Sequence, residues 1–400
     1  MSRIVFAWEL GGGYGHLGPF RPITERLVSA GHQVTIIAKD IARAAVAFRG
    51  LDVTLFPSPV KLSKAVPYDP APSTFGHLLQ NMGYRDPLEL NAMIHVWRNL
   101  FQVTRPDCLV LDHCPTGLLA ARGIDVPQFT FGTGFFCPVD EFPLREMAPW
   151  RPMDKEERIR SESQLIDRIN TILESNGQPT IARIGEIYSS VTANLLTTFR
   201  ELDHYPYRQQ GEYLGAWSAT NSANNRLLPE TPWPEGDGPK VYAYLKPHKS
   251  LRELLMWLSG QGLPTLVVGD GLDGAGLSKS LRSNVKLVSH HLNLRSVGET
   301  CDLAIMNGNH GTCCEFLLAG RSMLHIPLTF EQAIFSRRTV ELGVALDASP
   351  DQPRQIIQQL SALINSGTHR QAAQDFASRH ASFRAENGID RCSQRISQAL

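Results

Sequence analysis

Cysteine is scarce in this sequence, and neither sign of charge is in excess. The seven cysteines are odd in number, Cys313 and Cys314 are adjacent, and no CxxC pair occurs. This usage excludes a disulfide framework and indicates reduced thiols without a zinc or other metal site. Lysine plus arginine (39) equals aspartate plus glutamate (39). With no net field to attract them, we expect neither nucleic acid nor a membrane surface as a partner.

Long apolar runs are also missing. No run approaches the ~20 residues needed to cross a bilayer, so we expect no integral membrane segment. The apolar stretch from Ile4 to Trp8 is too short for the core of a signal peptide and leads straight into glycines, which predicts a cytoplasmic protein. A chain of 400 residues with 42% hydrophobic residues is long enough for two buried cores.

Apolar strands alternate with helices in both halves of the sequence. The first half predicts strands at 3–8, 33–38, 52–56, 107–111 and 126–130, with helices over 85–104 and 153–190. The second half predicts strands at 240–245, 264–268, 285–288, 302–306 and 322–326, with helices over 249–260, 312–319 and 331–342. The fold class is therefore α/β, with two doubly wound Rossmann-like domains facing a cleft where ligands bind.

Proline and glycine mark the boundaries. A proline-rich loop occupies 57–72, and the polar segment from Trp217 to Lys240 is the best candidate for a linker. We expect an N-terminal domain over 1–216, a linker over 217–239, a C-terminal domain over 240–370 and a charged helical tail over 371–400.

The segment from Ile305 to Gln332 carries the strongest signal for a ligand. It predicts a strand, a glycine turn and a helix, with Gly308 and the amides of His310, Gly311 and Thr312 at the helix N-terminus, where a phosphate is favoured. Two purely structural roles compete with this one. Thr312 and Glu315 also fit a capping box, and Glu331 fits a favourable charge in the first turn of the next helix.

A glycine loop follows the first predicted strand. Gly13-x-Gly15-x-x-Gly18 matches the dinucleotide fingerprint, and Asp40 lies 22 residues beyond Gly18, near the place of an NAD-binding acid. Two features argue against NAD, namely a histidine inside the loop and Pro19 at the helix start.

His16 and Asp112 are the candidate catalytic pair. His16 is either a general base on this loop or a helix-start residue bonded to backbone. Asp112, at the end of the strand over 107–111, either orients His16 or caps the helix that begins near Pro115.

Three motifs together resemble the GT-B glycosyltransferases, specifically the UDP-glycosyltransferase-like family. They are GHLGP at 15–19 followed by ITERLVSAGHQVT, the strand PDCLVLD at 106–112, and NGNHGTCCEFLLAGRSMLHIPLTFEQ at 307–332. The resemblance implies that His16 deprotonates an acceptor hydroxyl with Asp112 as its partner, in the acceptor-binding N-terminal domain.

The resemblance also implies the donor site, in the C-terminal domain. Glu315 would hold the ribose hydroxyls, and Glu331 with Gln332 would contact the donor sugar. The phosphate-binding positions would be Asn307, Gly308, His310, Gly311 and Thr312.

The sequence departs from the family pattern in three places. Asn307 replaces the leading diphosphate-binding histidine, for which His310 is a candidate substitute. The usual Gly-Ser loop is Leu245-Lys246-Pro247-His248-Lys249, so Lys246 or Lys249 is a candidate phosphate contact. The aromatic residue that stacks on uracil has no counterpart near His290, His291 and Asn293.

The implied function is inverting, metal-independent transfer of a hexosyl group from a nucleotide-diphosphate sugar, a co-substrate, to a small-molecule acceptor hydroxyl, with no other cofactor. Three alternatives remain open. They are a non-catalytic nucleotide-sugar-binding protein, an NAD-dependent oxidoreductase using the glycine loop and Asp40, and, more weakly, a sugar-nucleotide epimerase. Donor base, donor sugar, acceptor and oligomeric state are not readable.

Overall fold

The chain folds into two compact units. The computed structural model describes residues 1–61, 72–217, 231–269, 271–272, 276–290 and 292–400. The first unit comprises Met1–Gly215 together with Glu386–Leu400, and the second comprises Ala216–Ala385. Parts of the predicted proline-rich loop (62–71) and linker (218–230) lie outside the described residues.

The first unit is built on a parallel sheet. Within the described residues its strands are β1 (Arg3–Trp8), β2 (Gln33–Ala38), β3 (Val53–Pro57), β4 (Cys108–Asp112), β5 (Gln128–Gly132), β6 (Ala193–Leu196) and β7 (Glu212–Tyr213). Their order is β3-β2-β1-β4-β5-β6-β7, and all the pairs are parallel. The central strands β1 and β4 are almost fully buried, which explains their unbroken apolar sequences.

Helices surround this sheet. They are α1 (Phe20–Ser29), α2 (Ile41–Ala47), α3 (Phe75–Leu79), α4 (Pro87–Thr104), α5 (Pro115–Ala121), α6 (Lys155–Ser175) and α7 (Glu186–Ser189), with a π-helical turn at Gln80–Tyr84 and a 3₁₀ turn at Arg200–Leu202. Helix α4 begins where Asp86 accepts hydrogen bonds from the amides of Leu88 and Glu89.

The second unit repeats the plan. Its described strands are β8 (Val241–Tyr244), β9 (Thr265–Val268), β10 (Val285–Val288), β11 (Leu303–Met306), β12 (Ser322–His325) and β13 (Ala345–Asp347). They form a parallel sheet in the order β10-β9-β8-β11-β12-β13. Its helices are α8 (Leu251–Gly260), α9 (Leu294–Thr300), α10 (His310–Leu318), α11 (Phe330–Glu341), α12 (Pro353–Asn365) and α13 (Gly367–Arg379), with a 3₁₀ turn at Leu277–Ser280. The helix that follows, α14 (Ala385–Ser397), belongs to the first unit from Glu386 onwards.

The predicted fold class is confirmed as two doubly wound, Rossmann-like α/β units. Each predicted strand is present with its ends within two residues of the prediction. The stretch predicted as helical over 153–190 contains two helices, α6 and α7, with a non-helical segment between them. Helix α6 ends at Ser175, because Gly177 adopts a positive φ of 64° and Pro179 follows closely.

The C-terminal residues are divided between the units, unlike the separate tail expected over 371–400. Helix α13 belongs to the second unit, whereas residues from Glu386 onwards belong to the first. Two ion pairs join α14 to that first unit, Arg26–Asp390 and Arg395–Glu212. The buried side chains of Ile389 and Ile396 add an apolar contact surface.

Strand order reverses at one place in each sheet, between β1 and β4 and between β8 and β11. In doubly wound folds, ligands bind outside the carboxyl ends of the strands at such a reversal. The predicted catalytic residues follow β1 and end β4, and most of the predicted phosphate-binding residues follow β8 and β11. Each predicted set therefore lies at the switch point of its own sheet.

Candidate functional site

His16 and Asp112 are in direct contact in the first unit. The Nδ1 atom of His16 lies 2.8 Å from Oδ2 of Asp112. The two residues are 96 positions apart, and they meet because β1 and β4 are neighbours, with Trp8 opposite Asp112 in the sheet. Asp112 therefore orients His16, and its alternative role as the cap of α5 is wrong, since the residue at that position is Cys114.

Burial sets the chemistry of this pair. The side chain of Asp112 is 4% exposed and that of His16 is 12% exposed. Burial raises the pKa of Asp112 above its ordinary value, and the neighbouring His16 opposes that rise. Gly132 on β5 leaves room for the carboxylate, because a Cβ there would lie 2.9 Å from Oδ1 of Asp112.

The glycine loop packs against the other side of the imidazole. Gly11 has a φ of 84°, and a Cβ there would lie 2.3 Å from Nε2 of His16. Lys39, directly after β2, donates a hydrogen bond of 3.0 Å from Nζ to the carbonyl of Gly11. This loop is exposed from Gly11 to Gly15 apart from the half-buried Gly13. The edge of the His16 ring is therefore covered mainly by glycine backbone.

Three aromatic rings lie beside His16, and no motif in the sequence predicts them at this place. Trp8 stacks on it with ring centroids 5.1 Å apart and an interplanar angle of 17°. Phe136 lies 5.4 Å away at 37°, and His113 lies 6.1 Å away at 27°. Trp8 ends β1 and His113 directly follows β4, and the two come together because these strands are neighbours in the sheet. The sequence alone does not show that the strands are neighbours. Phe136 comes from the segment after β5.

Phe136 is one of five phenylalanines between residues 129 and 142, whose sequence, with Trp97 and Phe101 on a nearby predicted helix, fits either a hydrophobic core or an apolar acceptor pocket. Phe129, Phe131 and Phe135 are buried, as are Trp97 and Phe101, so a core role for them is confirmed. Phe142 differs, with 43% of its surface exposed.

Glu9 is a second buried carboxylate at the end of β1. Its Oε2 accepts hydrogen bonds from the amides of Thr116 (2.9 Å) and Gly117 (3.4 Å) in the first turn of α5. Burial raises the pKa of Glu9 to about 7, and these hydrogen bonds limit the rise. Glu9 lines a cavity of about 90 Å³ together with Lys39 and apolar side chains such as Met82 and Met93.

Asp40, the acid on which the dinucleotide alternative depends, caps a helix. Its side chain accepts a hydrogen bond of 3.0 Å from the amide of Arg43 at the start of α2. It also pairs with the guanidinium of Arg43 at 3.4 Å. A capping carboxylate is already engaged with protein groups, which weakens the case for a ribose-binding acid here.

In the second unit, the predicted phosphate-binding turn leads into helix α10. The helix begins at His310, two residues earlier than predicted, so His310, Gly311 and Thr312 form its first turn. Asn309 precedes it without a side-chain capping bond. Thr312 is therefore inside the helix, and the capping box of Thr312 with Glu315 is wrong. First-turn amides of a helix have no carbonyl partner within the helix and favour an anion.

Asn307 joins three loops of the second unit. It is 1% exposed, its Oδ1 accepts a hydrogen bond of 2.7 Å from the amide of Lys246, and its Nδ2 donates one of 2.8 Å to the carbonyl of Ile326. The amide side chain thus fixes the loop after β8 to the loops after β11 and β12. The side chain of Lys246 is exposed at this place.

Gly308 and the first turn of α11 are in close contact. Gly308 has a φ of 86°, and a Cβ there would lie 3.1 Å from the carbonyl oxygen of Gln332. Gln332 also forms a capping box with Thr329, in which its Oε1 accepts hydrogen bonds from the amides of Leu328 and Thr329. Glu331 lies in the same turn, and the half-buried Glu315 lies on α10.

Other predicted positions have simpler surroundings. His310 packs against Phe335, with ring centroids 4.9 Å apart. Asn293 caps α9 by accepting a hydrogen bond from the amide of Ser296, His290 is exposed, and His291 lies outside the described residues.

In the part of the chain that the structure describes, no group of three His, Cys, Asp or Glu side chains is placed to hold a metal ion. No helix in the same residues combines the length and apolar character needed to cross a membrane. All seven cysteines are described, and each is buried and unpaired.

Several solved structures have the same fold as this chain. The glycosyltransferase of kitacinnamycin matches with a TM-score of 0.71 and 19% identity, covering 100% of this chain and 99% of its own. The calicheamicin glycosyltransferase CalG4 matches with a TM-score of 0.71 and 17% identity, covering 100% of this chain and 98% of its own. VinC, a glycosyltransferase solved in complex with dTDP, matches with a TM-score of 0.68 and 16% identity, covering 98% of this chain and 100% of its own.

The chain therefore has the GT-B fold of these glycosyltransferases. Neither a protein-family model nor a curated protein sequence matches it.

Proposed function

We propose that the protein transfers a sugar from a nucleotide-diphosphate sugar to an acceptor hydroxyl, with inversion at the anomeric carbon. The observation that carries this proposal is the contact between His16 and Asp112 at the switch point of the first sheet. The match over the whole chain to sugar-transferring enzymes supports it.

His16 acts as the general base. With Asp112 ionised, Nδ1 of His16 donates to the carboxylate, and Nε2 carries the lone pair that takes the acceptor proton. As the proton moves, the acceptor oxygen bonds to the anomeric carbon, and the electron pair of the breaking bond goes to the nucleoside diphosphate. Direct attack from the side opposite the leaving group inverts the configuration. General-base catalysis of this kind contributes about 10²–10⁴-fold in rate.

The second unit receives the donor. The diphosphate of the donor lies at the first turn of α10. There the backbone amides of His310, Gly311 and Thr312 and the positive end of the helix dipole favour an anion. Lys246 supplies a positive charge from the loop after β8. Preorganised groups of this type stabilise the charge that develops on the leaving diphosphate.

Asn307 contributes to donor binding through the backbone. Its amide is already bonded to Lys246 and Ile326, so it positions Lys246 and the turn rather than contacting phosphate itself. Glu315 holds the ribose hydroxyls, and Glu331 with Gln332 holds the sugar, as the sequence resemblance implies. The reaction uses amides and Lys246 where other enzymes use magnesium, so EDTA is expected to leave the rate unchanged.

Acceptor-dependent release of nucleoside diphosphate tests this proposal. Purified protein is incubated with dTDP-, UDP- and GDP-sugars and a set of hydroxylated acceptors, with dTDP-sugars first because VinC was solved with dTDP. His16→Ala is expected to lower transfer by about 10²–10⁴-fold while donor affinity is retained.

Three results would contradict the proposal. Undiminished transfer in His16→Ala removes the assigned base, and loss of donor affinity in that variant gives His16 a different role. Donor binding with no transfer to any acceptor, and no donor hydrolysis, favours a non-catalytic binding protein.

A further inference from the structure

We propose that Trp8, His113 and Phe136 form an aromatic cage that stabilises the protonated form of His16, making it a stronger base. The inference rests on the proposed function for its catalytic meaning, although the stabilisation itself is measurable without turnover. Trp8, His113 and Phe136 are positioning residues, because they act on His16 and not on the substrate.

Trp8 has the geometry for this effect. Its indole ring lies nearly parallel to the imidazole, with centroids 5.1 Å apart. A cation within about 6 Å of an aromatic centroid is attracted by the ring quadrupole, and indole is the strongest aromatic partner. Trp8 is 1% exposed and its Nε1 donates to the carbonyl of Leu10, so the ring is fixed where water cannot screen it.

Phe136 and His113 form the other side of the cage. Phe136 lies 5.4 Å from the ring of His16 and stacks on His113 at 3.3 Å. The backbone of His113 has a positive φ of 41°, and its carbonyl accepts a hydrogen bond of 2.9 Å from Leu10. This hydrogen bond connects the loop that carries His16 to the residue that follows Asp112, so it helps to fix the positions of both His113 and Asp112 relative to His16.

The cage holds a single positive charge. Both ring nitrogens of His113 are buried with no hydrogen-bond partner among the described residues. Burial keeps the pKa of His113 well below its usual value, and the charges of His16 and Lys39 lower it further. His113 therefore stays neutral when His16 is protonated, and repulsion between two imidazolium ions does not arise.

Other ionisable groups on the surrounding elements also act on His16, and they remain in place when only the aromatic rings are replaced. Asp112 favours the protonated imidazole, whereas Lys39 after β2 disfavours it. Glu9 at the end of β1 and Cys137 beside Phe136 both have pKa values raised by burial, which keeps the thiol neutral and leaves Glu9 partly protonated near neutral pH. Tyr14, on the loop of His16, lies under the guanidinium of Arg43. Replacing only the aromatic rings therefore isolates their contribution.

The test follows the titration of His16 by NMR in protein with ¹³C-labelled histidine, with the signal assigned from a His16→Gln variant. Trp8→Leu is expected to lower the titration midpoint of His16 by about 0.5–1 pH unit. Phe136→Leu, which removes a tilted ring, is expected to lower it by less. Trp8→Phe, the milder variant if Trp8→Leu does not fold, is expected to fall between wild type and Trp8→Leu.

Phe20→Leu is the matched control. Phe20 is equally buried and its ring packs at a tilt against those of Phe6 and Phe131, and none of its ring contacts among the described residues is with His16. Its variant is expected to leave the midpoint unchanged. The acidic limb of the kcat/KM profile should move to lower pH in the Trp8 variants, whereas a purely structural defect lowers the rate without moving that limb.

A midpoint that stays the same or rises in the folded Trp8 and Phe136 variants overturns the cage. The proposed function is tested separately by His16→Ala. If that variant keeps full transfer while the cage variants shift the midpoint, the cage stands and the assigned base does not.

Discussion

Asp112 shows how one residue's role depends on its strand neighbour. In the sequence it fits equally well as the cap of α5 and as the partner of His16. The structure decides, since Trp8 is opposite Asp112 in the sheet and the imidazole of His16 is 2.8 Å from the carboxylate. The glycine loop and the acid at a strand end were sufficient to select both residues. Trp8, His113 and Phe136 were not selected, because their proximity to His16 arises from the order of the strands and the path of the segment after β5.

Gly11 is expected to be required for the base to function. In Gly11→Ala the new Cβ would lie 2.3 Å from Nε2 of His16. Transfer should fall by at least about 10-fold, because moving a reacting group by about 1 Å costs up to 10²-fold. Steady-state kinetics measure it.

Gly13→Ala is the control for Gly11→Ala. Its φ of 86° imposes similar backbone strain, but a Cβ there meets nothing within 4 Å. Equal losses in both variants would attribute the effect to backbone strain and contradict a specific contact with His16.

Glu9 is expected to make the first unit less stable as pH rises. Its folded pKa is about 7 against an ordinary value of 4.5. Between these values the folded protein holds a proton that the unfolded chain releases, so the free energy of unfolding falls with rising pH. Glu9→Gln removes this pH dependence. The free energy of unfolding of the variant, relative to that of the wild type, should therefore rise between pH 4.5 and 7.5 by up to about 3 kcal/mol. Urea unfolding of both proteins at both pH values measures this change. The same pH dependence in wild type and Glu9→Gln would contradict a raised pKa of Glu9.

At the scale of the element, the turn between β11 and α10 combines two constraints. The turn contains a glycine with positive φ, Gly308, and the helix begins without a side-chain cap. The sequence predicted the strand, the glycine and the helix, but placed the helix start two residues late. It did so because Thr312 and Glu315 imitate a capping box, whereas the true box is at Thr329 and Gln332.

Gly308→Ala is expected to weaken donor binding more than it weakens the fold. A Cβ there would lie 3.1 Å from the carbonyl of Gln332 at a φ of 86°, so the turn and the first turn of α11 must separate. We expect the dissociation constant of the nucleotide sugar to rise at least about 10-fold, which corresponds to 1.4 kcal/mol. Calorimetric titration measures it.

Gly343→Ala provides the comparison for Gly308→Ala. Gly343 also has a positive φ, of 72°, but a Cβ there meets only Ala372, at 3.9 Å. The two variants should lose similar melting temperature. If both variants also lose donor affinity to a similar degree, the turn at Gly308 is not part of the donor site.

At the scale of the whole molecule, the end of the chain returns to the first unit. Alternation of strands and helices predicted two units, but local patterns do not show which unit a late amphipathic helix joins. That depends on contacts such as Arg26–Asp390, between residues 364 positions apart. The two units could therefore be predicted from the sequence, whereas the assignment of α14 to the first unit could not.

Helix α14 is expected to stabilise the first unit. Ile396 is fully buried, and Ile396→Ala should lower the free energy of unfolding by about 2–5 kcal/mol. Leu400, at 41% exposure, is the control, and Leu400→Ala should change it by less than about 0.5 kcal/mol. Urea unfolding detects both, and equal small effects would contradict a structural role for the helix.

The most direct test of the central claim is a thermal-shift screen of the full chain against dTDP-, UDP- and GDP-sugars, with NAD(H) and NADP(H) included. A ligand at 100 times its dissociation constant adds about 2.7 kcal/mol of stability, which moves the melting temperature visibly. A nucleotide sugar is expected to raise the melting temperature of the wild type, and to raise that of Gly308→Ala much less. Stabilisation by the dinucleotides alone would contradict it and favour an oxidoreductase.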